Sequence, residues 1–154
     1  MPRLFILGIF RRAKAHIIVE RHGISRKNIS LSAGSSPILS YTALAASKKG
    51  KILGPDLFWD TTSKAPEKQG APEIVRIPNT AELDIDLDAM YAAIDDSTGM
   101  VHICNPNNPT GVPIDADELR AFCKRVGSKA LVIVDEAYNE LTPNPSANSM
   151  VDLV

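Results

Sequence analysis

The chain has 154 residues, 44% hydrophobic and 23% charged, so a single domain with a substantial core is the natural expectation. Seventeen basic against eighteen acidic residues leave a net charge of -1, which offers neither a basic surface for nucleic acid nor a charged tail for a membrane. The longest apolar run, Leu4 to Phe10, is too short to span a bilayer, and Arg11 and Arg12 follow it where a signal peptide would place small residues.

Along the chain, helix-like and strand-like segments alternate. Arg12 to Arg21 reads as a helix stopped by His22-Gly23, and Asn28 to Ser32 as a short strand running into Ala33-Gly34-Ser35-Ser36. Ile38 to Ser47 is a second helix, with Pro37 suited to its first turn. Lys51 to Leu53 is a strand closed by Gly54-Pro55, and Phe58 to Gln69 reads as a helix that Pro66 must kink or end. Glu73 to Ile77 is a β-rich run between prolines, and Leu87 to Ile94 a helix with Asp86 or Asp88 as N-cap. Met100 to Cys104 is an apolar strand, Asp115 to Val126 an amphipathic helix, and Ala130 to Val134 a strand buried on both faces. Cys104 and Cys123 form no disulfide framework and read as reduced thiols of a cytoplasmic protein.

Strands separated by single helices imply βαβ units and a mostly parallel sheet, an α/β fold whose ligands sit beyond the carboxyl ends of the strands. Three segments leave strands there with unusual chemistry: Ala33 to Ser36, Asn105 to Gly111, and Asp135 to Tyr138. Other site chemistries find no support. Leu131 to Glu136 has the look of a Walker B strand, but no Gly-x-x-x-x-Gly-Lys-Ser/Thr string accompanies it. Asp84, Asp86, Asp88 and Asp95 mimic calcium-loop spacing, yet Ala89 stands where that loop needs glycine, so helix capping is the better reading. The three histidines show no zinc spacing with either cysteine, and no metal is expected.

Asn105-Pro106-Asn107-Asn108-Pro109-Thr110-Gly111 after one apolar strand, then Val134-Asp135-Glu136-Ala137-Tyr138 after the next, resembles the class I/II aminotransferases of the pyridoxal-phosphate fold type I, in particular their histidinol-phosphate aminotransferase-like group. The resemblance covers roughly Arg12 to Val154. It implies a three-layer α/β/α arrangement, a partial large domain of that fold over residues 1–154, pyridoxal 5'-phosphate (PLP) as cofactor, a homodimer, and amino-group transfer from an amino acid or amine to a 2-oxo acid. It assigns Asp135 to the pyridinium nitrogen, where a carboxylate keeps the ring protonated and electron-accepting. Asn108 and Tyr138 would contact the phenolic oxygen, and Gly34, Ser35 and Ser36 would form the phosphate cup at a helix start. Phe58 or Trp59 would be the stacking ring, with the register left open by Pro55-Asp56-Leu57-Phe58-Trp59. Pro37 departs from the family's acidic residue and removes one N–H from the cup.

Each assignment has a plainer counterpart: a stiff polar turn, a strand-end Asp capping a turn, a packing tyrosine, a simple N-cap, or a core aromatic. One family feature has no match. The lysine that carries the cofactor covalently lies in a Ser-Lys segment downstream, and none of Lys14, Lys27, Lys48, Lys49, Lys51, Lys64, Lys68, Lys124 or Lys129 lies in such a motif. The chain is therefore expected to be a fragment with no catalytic residue of its own and no transamination alone. A non-catalytic PLP-binding or subunit-pairing module, or a gene remnant, is the alternative. The resemblance also places the strand Asn28 to Ser32 beside strands absent from the sequence, which predicts an unpaired or mispaired edge and a marginal, aggregation-prone protein.

Overall fold

The computed structural model describes residues 6–9 and 12–154, with side chains from Ala15 onward. Among the described residues, six strands and five α-helices follow one another in chain order. They are β1 (Ile6–Ile9), α1 (Arg12–His22), β2 (Ile29–Ser32), α2 (Ser36–Ser47), β3 (Lys51–Pro55), β4 (Val75–Ile77), α3 (Leu87–Ala92), β5 (Thr98–Cys104), α4 (Ala116–Val126), β6 (Leu131–Asp135) and α5 (Pro145–Asn148). Strands β3 to β6 form a parallel sheet of order β4-β3-β5-β6, while β1 and β2 pair in parallel as a second sheet.

Alternation along β5 builds the layers. Val101 and Ile103 face one core with Met90 of α3 and Leu119, Phe122 and Val126 of α4, and Val132 of β6 joins them. Met100 faces the other core with Ala43 and Ala46 of α2 and with Phe58. Every residue of β5 is buried, as a central strand covered on both faces requires. This is the expected three-layer α/β/α arrangement. The termini of the helices are chemically marked. Asp86 caps α3 by accepting from the Ala89 N–H at 2.8 Å, and Asp115 caps α4 by accepting from Asp117 and Glu118 N–H.

Three expectations need correction. Phe58 to Gln69 is not a helix: isolated turns lead to a single 3-10 turn at Glu67–Gln69. Pro66 has no N–H to donate back, and Phe58 is pulled into the core instead of continuing a helical face. Secondly, Ala130 to Val134 is not buried on both faces: β6 ends the described sheet, and Leu131, Ile133 and Val134 are only half-buried. At the start of the chain the apolar run contributes β1, with Leu4, Phe5 and Phe10 outside the described residues. Thirdly, the edge of β2 is not unpaired. It stays apart from β3, as the resemblance implied, but its ladder is taken up by β1 in the register Ile6↔Ile29 to Ile9↔Ser32.

Candidate functional site

Parallel βαβ units bring all strand ends of one polarity to one edge, and the three marked segments follow β2, β5 and β6 there. Strands β5 and β6 run in register to their last residues, Cys104 opposite Asp135, and the Asn105 N–H then donates to the Asp135 carbonyl at 2.9 Å. The Asp135 side chain is only 8% exposed. Its Oδ1 accepts from the Ala137 N–H at 3.1 Å, and no cation pairs with it among the described residues. Burial pushes its pKa upward, against the pull of that one N–H. The same carboxylate adds to burial in holding the neighbouring Cys104 thiol protonated, with a pKa of about 11.

The three asparagines of the next loop have three different surroundings. Asn105 is buried and accepts the Ile114 N–H on Oδ1 at 2.8 Å, tying the loop to its own exit. Asn107 is buried too, and its Nδ2 donates to the Leu57 carbonyl at 2.8 Å and to Thr110 Oγ1 at 3.1 Å. Gly111, at φ +74, completes a turn that returns its N–H to the Asn107 carbonyl at 2.7 Å. With its two neighbours committed inward, Asn108 is left only half-buried, and its Nδ2 donates to Tyr138 Oη at 3.2 Å. Tyr138 is 40% exposed, so its phenol is accessible beside that amide. The structure thus brings Asn108 and Tyr138 together and sets Asp135 at the same strand edge.

Gly34 has φ +87, and its carbonyl accepts from Ser32 Oγ. The hydroxyls of Ser35 and Ser36 make no hydrogen bond among the described residues, and Ser36 opens α2, with Pro37 next. Helix α2 runs back from this point to Gly50 at the start of β3, which leaves its N-terminus toward the carboxyl edge of the strands. No hydrogen bond joins Gly34, Ser35 or Ser36 to Asp135, Asn108 or Tyr138 among the described residues. Of the two aromatic candidates, Phe58 is core. It is 7% exposed, its ring meets His102 edge-on at 5.1 Å, and a Cβ on Gly54 would come within 2.5 Å of its Cζ. A ring seated there has no free face for stacking, whereas Trp59 is half-buried.

Two residues beyond the sequence assignments shape this edge. One is Asn107, described above. The other is Glu136, whose carboxylate accepts from the Met150 N–H at 2.6 Å and from Ser149 Oγ at 2.7 Å, clasping the last turns of the chain against the end of β6. Three asparagines in one loop do not announce which of them turns inward, and an Asp-Glu pair does not say which acid is structural. A cleft of about 870 Å³ between α2 and the starts of β5 and β6, with Lys49, Asp96 and Lys129 on its rim, lies at the opposite end of the strands.

A mostly parallel sheet between helix layers is the arrangement of the PLP-transferase fold type I. The chain belongs to the aminotransferase class I and II family, whose model matches residues 7–154. It is 36% identical over 133 residues to a histidinol-phosphate aminotransferase of Lysinibacillus sphaericus (strain C3-41), covering 86% of this chain and 36% of that protein. It is 34% identical over 124 residues to an aromatic amino acid aminotransferase of Rhodococcus jostii (strain RHA1), covering 80% of this chain and 34% of that one. The chain thus spans about a third of the length of these relatives. Among solved structures, it is similar to the histidinol-phosphate aminotransferase of Sinorhizobium meliloti in complex with pyridoxal-5'-phosphate, with a TM-score of 0.75 at 23% identity, covering 86% of this chain and 36% of that one.

Proposed function

We propose that this chain is a portion of a PLP-dependent aminotransferase that builds one side of the cofactor pocket, within an enzyme moving an amino group from an amino acid or amine to a 2-oxo acid. The observation that carries it is Asp135: a carboxylate buried without a cation among the described residues, at the strand edge that also holds a paired amide and phenol. A protonated pyridinium supplies the missing positive charge. In this reading Asp135 holds the ring nitrogen, Asn108 and Tyr138 orient the ring oxygen, Trp59 stacks on the ring, and the backbone N–H groups and hydroxyls at Gly34, Ser35 and Ser36 receive the phosphate. When bound, the cofactor's ring accepts the electron pair released as the substrate's Cα loses a proton. The residues of this chain bind and orient, and none of its lysines is set against Asp135, Asn108 or Tyr138 among the described residues. The homodimer, the substrate class and residues 1–154 as one partial large domain belong to the same proposal. So does a cytoplasmic setting, which two buried free thiols suit.

The test is titration of the chain with PLP, read by its absorbance, beside Asp135→Ala. Saturable binding is expected, weakened tenfold or more in the variant, as loss of a charged hydrogen bond on the order of 1.5–3 kcal/mol implies. Incubation with an amino acid and a 2-oxo acid should yield no transamination by this chain alone. Equal binding by both proteins, or none by either, sinks the reading.

A further inference from the structure

We propose that Asn107 is a positioning residue of this pocket, acting through the Leu57 peptide to hold Trp59 opposite Asn108; this rests on the PLP reading above. Asn107 is 2% exposed and lies next to Asn108, so it fixes the ring-oxygen donor through the main chain. Its own amide reaches across to a different part of the fold, with Nδ2 donating to the Leu57 carbonyl at 2.8 Å. The Leu57 N–H on the other side of that residue donates to Asn79 Oδ1 at 2.9 Å. Two asparagines from separate loops therefore clasp Leu57 by both of its backbone groups, two residues before Trp59. Next to it, the Asp56 N–H donates to the Ile77 carbonyl at 2.7 Å, and the Asp56 carbonyl accepts from Arg76 Nη1 at 2.9 Å.

The orientation of the Asn107 amide is determined by its partners. Turned over, it would set Oδ1 against the Leu57 carbonyl, oxygen to oxygen, with no proton between them. In the observed orientation Oδ1 is buried and has no partner among the described residues. Nδ2 alone ties the loop carrying Asn108 to the segment carrying Trp59. The segment has no regular ladder of its own, since β3 ends at Pro55 and the expected helix does not form. These side-chain clasps are what replace secondary structure between Asp56 and Trp59. Loss of the Asn107 amide frees the segment on the side that faces the cofactor loop.

Trp59 is the single tryptophan of the chain, so its emission reports this segment directly. Without cofactor, Asn107→Ala should raise acrylamide quenching of Trp59 about twofold, and Asn79→Ala should move it the same way by releasing the other half of the clasp. Asn79 is outside the core, so that variant keeps the question open to test should Asn107→Ala not fold. With PLP as the probe, read by absorbance, Asn107→Ala should weaken affinity about tenfold in the unsubstituted chain. In a Trp59→Leu background it should weaken affinity by less than about twofold, because the ring it positions is gone. The Asn79→Ala cycle with Trp59→Leu should show the same non-additivity. Effects that multiply, a Trp59→Leu chain that binds PLP undiminished, or quenching unchanged in both asparagine variants overturns the proposal. Failure of the unsubstituted chain to bind PLP overturns the function proposed above, and leaves the quenching experiment to decide the role of Asn107.

Discussion

Acidification forces a proton onto a side chain that the fold keeps dry. His102 sits in the middle of β5, fully buried, with Nδ1 2.6 Å from Ser63 Oγ and the Phe58 ring edge-on beside it. Its Nε2 is buried with no partner among the described residues. An imidazolium needs an acceptor at both nitrogens, and here only Ser63 is in place. Burial therefore lowers the pKa to about 4 from the ordinary 6.5, with the Asp60 carboxylate pulling weakly the other way. The unfolded chain takes up the proton near 6.5 and the folded chain only near 4, so between those values the unfolded state binds more protons. Stability is whole above the upper value and is lost as pH falls through the window. The gap of roughly 2.5 pH units, at about 1.4 kcal/mol each, amounts to about 3 kcal/mol. Domains of this kind have only about 5–15 kcal/mol to lose. Urea unfolding of the chain and of His102→Gln, followed by circular dichroism from pH 7 down to pH 4, isolates this contribution. Carboxylates titrate in both proteins and cancel in the difference. The unsubstituted chain should lose about 3 kcal/mol more than the variant over that span. Parallel pH profiles would refute the reasoning.

Asp135→Asn removes a carboxylate whose folded pKa is raised, a group that costs stability as pH climbs through that value. The variant's melting temperature should therefore fall less toward neutral pH, while PLP binding drops tenfold or more. Glu136→Ala leaves the Met150 N–H and Ser149 hydroxyl without their acceptor; we expect about 2–4 kcal/mol lower stability in urea and faster limited proteolysis near Met150. Gly54→Ala sets a methyl group 2.5 Å from Phe58 Cζ, so the ring must move off His102; a loss of about 1–3 kcal/mol by thermal melting checks this, with undiminished stability contradicting it.

Where local chemistry decides an element, the sequence shows it. Asp86, one of the two cap candidates, caps α3, and the apolar run at β5 is a buried strand because no turn residue interrupts it. The two loop motifs likewise mark the strand ends that carry Asn108, Asp135 and Tyr138. What fails is what the tertiary fold decides. The 58–69 segment has helical composition, but Phe58 fits a seat made by Gly54 and His102, which pattern cannot reveal, and burying it there ends the helical course. The pairing of β2 depended on Ile6–Ile9, a run too short for its periodicity to mean strand rather than helix. The inward turn of Asn107 is equally hidden, since its partner Leu57 is fifty residues away in the chain.

The division of labour among the asparagines explains why a site of this kind can sit on irregular chain. A loop after a parallel strand must satisfy its own backbone polar groups without a ladder, and two of the three amides do that: Asn105 for Ile114 and Asn107 for Leu57. Only then can Asn108 keep its side chain free of the scaffold, paired with the accessible Tyr138 hydroxyl. Asp135 shows the complementary arrangement, a charge whose desolvation is not offset from within the described chain. A cationic ligand that offsets it adds to folding stability by mass action, about 2.7 kcal/mol at a hundredfold excess over its dissociation constant. Binding and folding are linked through this carboxylate, so a ligand of the right charge must raise the melting temperature of the chain by more than it raises that of Asp135→Asn, and an equal rise in both would contradict the linkage.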